Sequence, residues 1–341
     1  RSGMSRMKFT WEAGLDSANV PVYMGRAYQN LLADYDHTEA RVLTCTARGQ
    51  TSHLPMLVRD LGNGQKEAYS AYGYGGLLGE LSLSNADVAE LKAFLAETSI
   101  LALFIRHTPF ITNQNAWPSD LSTLSRRTYG ASLQPHEHFS TYLAGLPQKL
   151  RWSVNYAQRA GLQVSFHDMS MCPDSKIQAF YRLYAGLMQQ KSTANYYLFS
   201  EAFFFEHARH LGARCELAEI VNNETGELMA GAFFLTDGTG WAHYHLSAAT
   251  RELMKHQGME LLISSAIFRY GNDGYRALHL GGGHALDESD GLSRFKAKFA
   301  SNRFDFCCTK LICDDAGYLM ERQRLPLAHP DFFLITDARA F

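Results

Sequence analysis

Trp241-Ala242-His243-Tyr244-His245-Leu246-Ser247-Ala248 opens the stretch, running on to Phe299, whose reading decides the fold. Trp241, His243 and His245 alternate with Ala242, Tyr244 and Leu246, the period of a β-strand. The following segment predicts a helix from about Glu252 to Tyr270, with Leu253, Leu261, Leu262, Ala266 and Phe268 as core positions. A second strand, Ala277-Leu278-His279-Leu280, ends in Gly281-Gly282-Gly283, where a ligand or another chain segment can approach the backbone closely. A polar loop with Asp287, Glu288 and Asp290 then leads to the basic helix Arg294-Phe295-Lys296-Ala297-Lys298-Phe299. Phe295 and Phe299 fall on one helical face, so Lys296 and Lys298 point elsewhere. A lysine beside such a loop can stabilise an oxyanion or hold a phosphate, or it can be a solvated charge beside an apolar stripe.

The chain has 341 residues, room for two domains of ordinary size or one large one. Its 46% hydrophobic and 12% aromatic content supports a packed core and excludes a disordered chain. A net charge of -2 offers no global attraction to nucleic acid or to a membrane surface, and DNA is not an expected partner. A polyanion would have to meet a local basic patch. No apolar run approaches the roughly 18 residues of a membrane span. Arg1-Ser2-Gly3 reads as a vector-derived leader ahead of Met4 or Met7, with no signal-like pattern, and a cytoplasmic location is expected. The six cysteines lack CxxC pairs and read as reduced, mostly buried thiols. Cys307 and Cys308, adjacent on a strand, point to opposite faces and make poor metal co-ligands, and no metal is expected.

Working outward, the spacing predicts a hairpin from 41–47 and 52–59, a helix over Asn85–Glu97 capped by Ser84 or Asn85, and a strand over Leu101–Arg106. Further on it predicts a weak strand over 129–133 and helices over 138–146, 149–161, 175–191 and 200–211. Strands are expected over 162–166, 215–221, 228–235, 303–313 and 332–336. The order hairpin, strand, helix, strand occurs twice, over 41–106 and 215–280, which suggests two similar α/β units in tandem. The expected division is 8–140 and 141–341.

Several constellations can carry chemistry. Tyr72-Gly73-Tyr74-Gly75-Gly76 is either a ligand-lining loop or a tight turn with two packed tyrosines. His107, at a strand end, is the best general-base candidate among the histidines. His136 and His138 flank Glu137, but spacing places no third metal ligand beside them. Arg126, Arg127, Lys149, Arg151, Arg159, Arg294, Lys298, Arg303 and Lys310 would form a phosphate-tracking groove if they shared a face, and are ordinary surface charge if they do not.

The order of these segments resembles the Fem family of aminoacyl-tRNA-dependent peptidyl ligases and the related FemAB-like N-acyltransferases. The resemblance rests on Tyr72–Gly76, Leu150–Leu162, Tyr184–Phe199, Tyr244–Ala248, Leu280–Gly283 and Leu292–Phe299. It implies a mixed α+β fold of two tandem GNAT-like (acyl-CoA N-acyltransferase) domains, in the compact subtype without a long helical arm. It implies transfer of an amino acid from aminoacyl-tRNA, as co-substrate, to the free amine of a small peptidyl acceptor, a cell-wall precursor or peptidyl natural product, without ATP or metal. In that frame Lys296 would stabilise charge in the transfer. Tyr72, Tyr74, Gly75, Tyr184, Tyr244 and Gly282 would line the substrates, and Arg151, Arg159, Lys298 and Arg303 would contact tRNA. Family members often carry an aspartate where this chain has Arg106-His107-Thr108-Pro109, which puts the base assignment in doubt and points to a different acceptor. N-acyltransferases that use acyl-CoA bind its pyrophosphate on a Q/R-x-x-G-x-G/A loop at a helix N-terminus. Lys255-His256-Gln257-Gly258-Met259 is a fragment of that pattern, with Glu260 where a small residue belongs. An acyl-CoA-dependent N-acyltransferase is therefore the second reading, and a non-catalytic nucleic-acid or peptide-binding module the third.

Overall fold

The computed structural model describes residues 6–111, 113–191, 197–326, 331 and 333–335. In chain order its strands are β1 (Lys8–Glu12), β2 (Glu39–Ala47), β3 (Gln50–Asp60), β4 (Lys66–Tyr69), β5 (Leu78–Gly79), β6 (Ile100–Arg106), β7 (Thr123–Ser132), β8 (Ser165–Asp168), β9 (Cys215–Val221), β10 (Leu228–Thr236), β11 (Trp241–Ala249), β12 (Ala277–Gly282) and β13 (Asn302–Ile312). The helices are α1 (Arg26–Asp36), α2 (Asn85–Glu97), α3 (Phe139–Ala144), α4 (Gln148–Arg159), α5 (Asp174–Gln190), α6 (Glu201–Leu211), α7 (Arg251–Lys255), α8 (Gly258–Asn272), α9 (Gly291–Ala297) and α10 (Asp315–Arg324). The leader residues Arg1–Gly3 with Met4, and residues 332 and 336 of the expected last strand, lie outside the described residues. Residues 333–335 form bends instead of a strand.

The chain divides into two compact units, Arg1–Arg126 with Asp305–Phe341, and Arg127–Phe304. The expected division at 140/141 places β13 and α10 differently. Residues 308–312 of β13 pair antiparallel with β6, Cys308 opposite Arg106 and Ile312 opposite Ala102, so the end of the chain folds onto the first unit.

Each unit carries the same strand pattern. In the first, β2–β3 and β3–β4 are antiparallel, β4–β6 is parallel, and β13 closes the sheet antiparallel to β6. In the second, β9–β10 and β10–β11 are antiparallel, β11–β12 is parallel, and β7 closes the sheet antiparallel to β12. A helix, α2 or α8, makes the crossover that a parallel pair requires. The repeated rhythm in the sequence is this duplication.

Local chemistry explains the elements. Ser84 caps α2 in a reciprocal box with Asp87, and Val88, Leu91 and Leu95 bury one face. All seven residues of β6, Ile-Leu-Ala-Leu-Phe-Ile-Arg, are buried, as suits a strand covered on both faces. In the second unit, Leu150, Val154 and Ala157 of α4 pack on Leu261, Leu262 and Ala266 of α8 over the face formed by Phe234, Ala242 and Leu278. The opposite face meets α5 and α6 through Phe180, Phe204 and Phe233, whose rings lie 4.9–5.8 Å apart.

The single helix expected over 252–270 is two. Gln257 adopts the left-handed conformation (φ 59°, ψ 31°) between α7 and α8. Gly258 follows because a Cβ there would lie 2.4 Å from Leu253 Cγ.

Candidate functional site

In the second unit the parallel pairing of β11 and β12 stops at His243 opposite His279. Beyond it β11 carries a bulge, with Phe233 opposite Leu246 and Phe234 opposite Tyr244, so His245 has no cross-strand counterpart. The crevice where parallel strands part at their carboxyl ends is the usual ligand position in open α/β sheets. Here it receives Gly282 from β12, Tyr244 from β11 and Lys296 from α9.

Lys296 is 8% exposed. Its Nζ donates to the Gly282 carbonyl at 2.7 Å and lies 5.9 Å from the centre of the Tyr244 ring. Burial pushes the Tyr244 phenol up to about 12, and its hydroxyl donates to Ser247 Oγ. The sequence-predicted residues Lys296, Tyr244 and Gly282 are thus brought together.

The cap of α9 sets the lysine's position. Asp290 accepts from the backbone N–H groups of Leu292 at 3.1 Å and Ser293 at 3.0 Å. Against the cost of desolvation, hydrogen bonds from Ser293 and from the Ala285 N–H hold Asp290 well below the usual carboxylate range. A Cβ on Gly283 would lie 1.8 Å from Ser293 Oγ and 2.7 Å from Asp290 Oδ2. The last glycine of the triplet is required by this cap. The loop before it is tied down at Glu288, which accepts from the Tyr129 hydroxyl and has Arg127 at 3.5 Å and Arg303 at 3.8 Å.

A cleft of about 840 Å³ adjoins α9, lined by Lys149, Trp152, Gln257, Arg294, Phe295 and Lys298 among others. Lys298 Nζ lies 2.8 Å from Oε1 of Glu260, which is 7% exposed in the first turn of α8. Trp152, 55% exposed, stacks on Tyr156 at 5.2 Å and 15°, and Tyr156 stacks on His256 at 6.2 Å and 18°. Trp152 and Tyr156 were missed in the sequence as site residues, whereas Lys149, Arg294 and Lys298, three of the basic residues considered for a phosphate-tracking groove, line this one cleft. The i, i+4 spacing of the two rings on a helix whose core runs through Leu150 and Val154 could have identified the stack.

Of the residues expected to contact tRNA, Lys298 borders this cleft. The Arg151 guanidinium donates to the Ala144 carbonyl at 3.1 Å, Arg159 ends α4 about 15 Å beyond Lys149 at helical rise, and Arg303 lies beside Glu288. Tyr184, 3% exposed, packs against Phe199 and Phe204 in the α5–α6 layer. Phe204 packs on Phe233, whereas Tyr244 packs on Phe234, so the sheet stands between Tyr184 and Lys296.

The first unit has its own crevice where β4 and β6 part. The Gly75 N–H donates to the Arg106 carbonyl at 2.7 Å, and the Thr108 N–H donates to the Gly75 carbonyl at 2.8 Å. Gly73 (φ 108°) has Tyr23 against it, where a Cβ would lie 2.5 Å from the ring. Tyr74 is ringed edge-on by Tyr23, Phe110 and Phe306 at 5.3–5.8 Å. The loop is thus a tight turn with packed tyrosines, set at the end of β6. His107 has no exposed surface, shares a hydrogen bond with Thr309 Oγ1 at 2.7 Å, and burial pushes its pKa down to about 4.

Comparison with known proteins agrees with this architecture. Residues 147–296 match the family model described as an acetyltransferase (GNAT) domain. The fold is similar to that of FemX, at 12% identity and a TM-score of 0.67, over 89% of this chain and 94% of that one. It is also similar to L-PGS from Bacillus licheniformis, at 12% identity and a TM-score of 0.53, over 86% and 91% of the two chains. A conserved protein of unknown function from Bacteroides thetaiotaomicron shares 10% identity at a TM-score of 0.52, over 84% and 89%. No curated protein matches the sequence. At these identities the likeness is one of fold. The resemblance to Fem-type proteins holds at that level; the acetyltransferase (GNAT) model matches the second unit, and the first unit repeats its strand pattern.

Proposed function

We propose that the chain is an aminoacyltransferase that moves an amino acid from aminoacyl-tRNA to the free amine of a small peptidyl acceptor. The observation that carries this reading is Glu260. A helix N-terminus that binds a pyrophosphate offers bare N–H groups and a positive dipole end. The first turn of α8 instead holds a buried carboxylate of its own, neutralised by Lys298 at 2.8 Å. A donor without a pyrophosphate at this point, such as a nucleic-acid 3′ end, suits it better than a coenzyme. The Trp152–Tyr156–His256 stack beside Lys149 and Arg294 supports the same reading, since stacked rings flanked by cations suit unpaired bases and their phosphates.

In the reaction a neutral amine of the acceptor attacks the aminoacyl ester carbonyl. A C–N bond forms, the ester C–O bond breaks, and the amine proton passes to the leaving ribose oxygen. Lys296 is assigned to the developing oxyanion. Its ammonium has three N–H donors, one of which is directed at the Gly282 carbonyl. A donor of this kind contributes about 10² to 10³ in rate. Gly282 and Tyr244 hold that ammonium in place.

One observation favours a second reading. The match of residues 147–296 to an acetyltransferase domain fits transfer from acyl-CoA to a small amine or peptide. The two readings separate in one assay. Product made from charged tRNA and abolished by RNase supports the first, and product made from acyl-CoA with thiol release supports the second.

A further inference from the structure

Arg106 is the last residue of β6 and is 7% exposed. A guanidinium carries five N–H donors and stays charged when buried. Here Nη2 reaches the Ser70 carbonyl only at 3.4 Å, and Nε has no hydrogen-bond partner. Among the described residues no carboxylate forms an ion pair with it. The groups around it are the Tyr72 ring, centred 5.8 Å from Cζ, the Tyr28 and Tyr74 phenols, and Cys308 opposite it in the strand register. Arg126 adds a second positive charge acting on Tyr74 and Cys308. A buried cation without a counter-ion is costly, and proteins retain one where a ligand supplies the missing charge.

We infer that Arg106, framed by Tyr28, Tyr72 and Tyr74 in the first unit, is the seat of an oxyanion group, a carboxylate or phosphate, on a small-molecule ligand. The planar guanidinium suits either group by a two-pronged contact. The neighbouring rings add flat apolar walls, so the anion is the end of an organic molecule. The loop Tyr72–Gly76 that forms these walls is held to β6 by the Gly75 N–H on the Arg106 carbonyl at 2.7 Å, so wall and cation move together.

The test measures anion binding by the full chain with no tRNA present, so it is independent of the transfer reaction. Melting temperatures of the wild type and of R106M are recorded in sodium chloride, in sodium phosphate and in sodium succinate at equal ionic strength. Phosphate or succinate should raise the wild-type Tm by about 2 °C or more over chloride through ligand linkage. The anion that acts names the source of the charge. R106M should lose that shift and melt in chloride no lower than the wild type, because an uncompensated cation has been replaced by an apolar side chain. R106K, which keeps the charge without the fork, should bind the same anion at least tenfold more weakly by calorimetry. Equal shifts in wild type and R106M, or no shift of the wild type with either anion, would overturn the assignment. So would a lower Tm for R106M in chloride with its anion shift intact, which marks a structural arginine.

Discussion

Lys298 Nζ lies 2.8 Å from Oε1 of Glu260, so the first turn of α8 carries an internal ion pair at the position where an acyl-CoA enzyme would present bare N–H groups to a pyrophosphate. Replacing Glu260 with glutamine removes both the pair and a carboxylate favourably placed at a helix N-terminus. Because Lys298 is 39% exposed, the pair itself is screened, and a loss of about 1 kcal/mol is expected by urea unfolding. Coenzyme A should leave the wild-type Tm unchanged. A clear upward shift with coenzyme A in the wild type would favour the acyl-CoA reading.

Lys296→Met should keep the fold by circular dichroism and lower turnover about 10²- to 10³-fold with little change in KM, since the charge is needed in the transition state. A lysine that only props Gly282 would change stability and leave kcat alone.

Gly283→Ala tests the same lysine from a distance. The new Cβ must displace Ser293 or Asp290, the side chains that fix the start of α9. A stability loss of about 1–3 kcal/mol is expected, with turnover falling as Lys296 shifts. Gly291→Ala, with open space around it, serves as the control.

Trp152→Ala should leave the Tm within about 1 °C, because the ring is 55% exposed. It should weaken binding of an unpaired RNA 3′ end by about tenfold or more, as expected for one lost base-stacking contact. Equal affinity for wild type and variant in a fluorescence titration would remove this surface from the account.

His107 and His207 give the stability a pH signature. Burial pushes each pKa down to about 4, whereas the unfolded chain protonates near 6.5. The unfolded state therefore binds more protons between these values. Each histidine contributes stability that is fully present above about pH 6.5 and is lost as pH falls toward 4, on the order of 2–3 kcal/mol apiece. Urea midpoints from pH 7 to 4.5 should drop steeply, and His107→Gln should flatten the curve.

Much of the fold is legible locally. Ser84 and Asp87 mark the start of α2, the apolar run Ile100–Ile105 of β6 marks a central strand, and the repeated order of hairpin, strand, helix and strand marks the duplication. What is not legible depends on distant pairing. No local pattern shows that β7 closes the sheet built from 165–282, or that β13 returns to β6. The break between α7 and α8 escapes because Gln257 has no intrinsic reason to adopt a left-handed backbone; Leu253 packed against Gly258 sets that turn. In the site, Lys296, Tyr244 and Gly282 were readable as a group because strand end, glycine triplet and basic helix follow one another in the chain. Tyr184 was not placed correctly relative to them, since face assignment across a bulged strand needs the register. Arg106 was passed over as part of a strand end, because a missing counter-ion is visible only once its surroundings are known.

The most direct test of the central claim is a transfer assay with a mixed pool of charged tRNAs and candidate peptidyl acceptors, read by mass spectrometry. The account predicts a product heavier than its acceptor by one amino-acid residue, absent after RNase treatment and reduced at least a hundredfold by Lys296→Met. Product that survives RNase and is formed instead when acyl-CoA is supplied would contradict it.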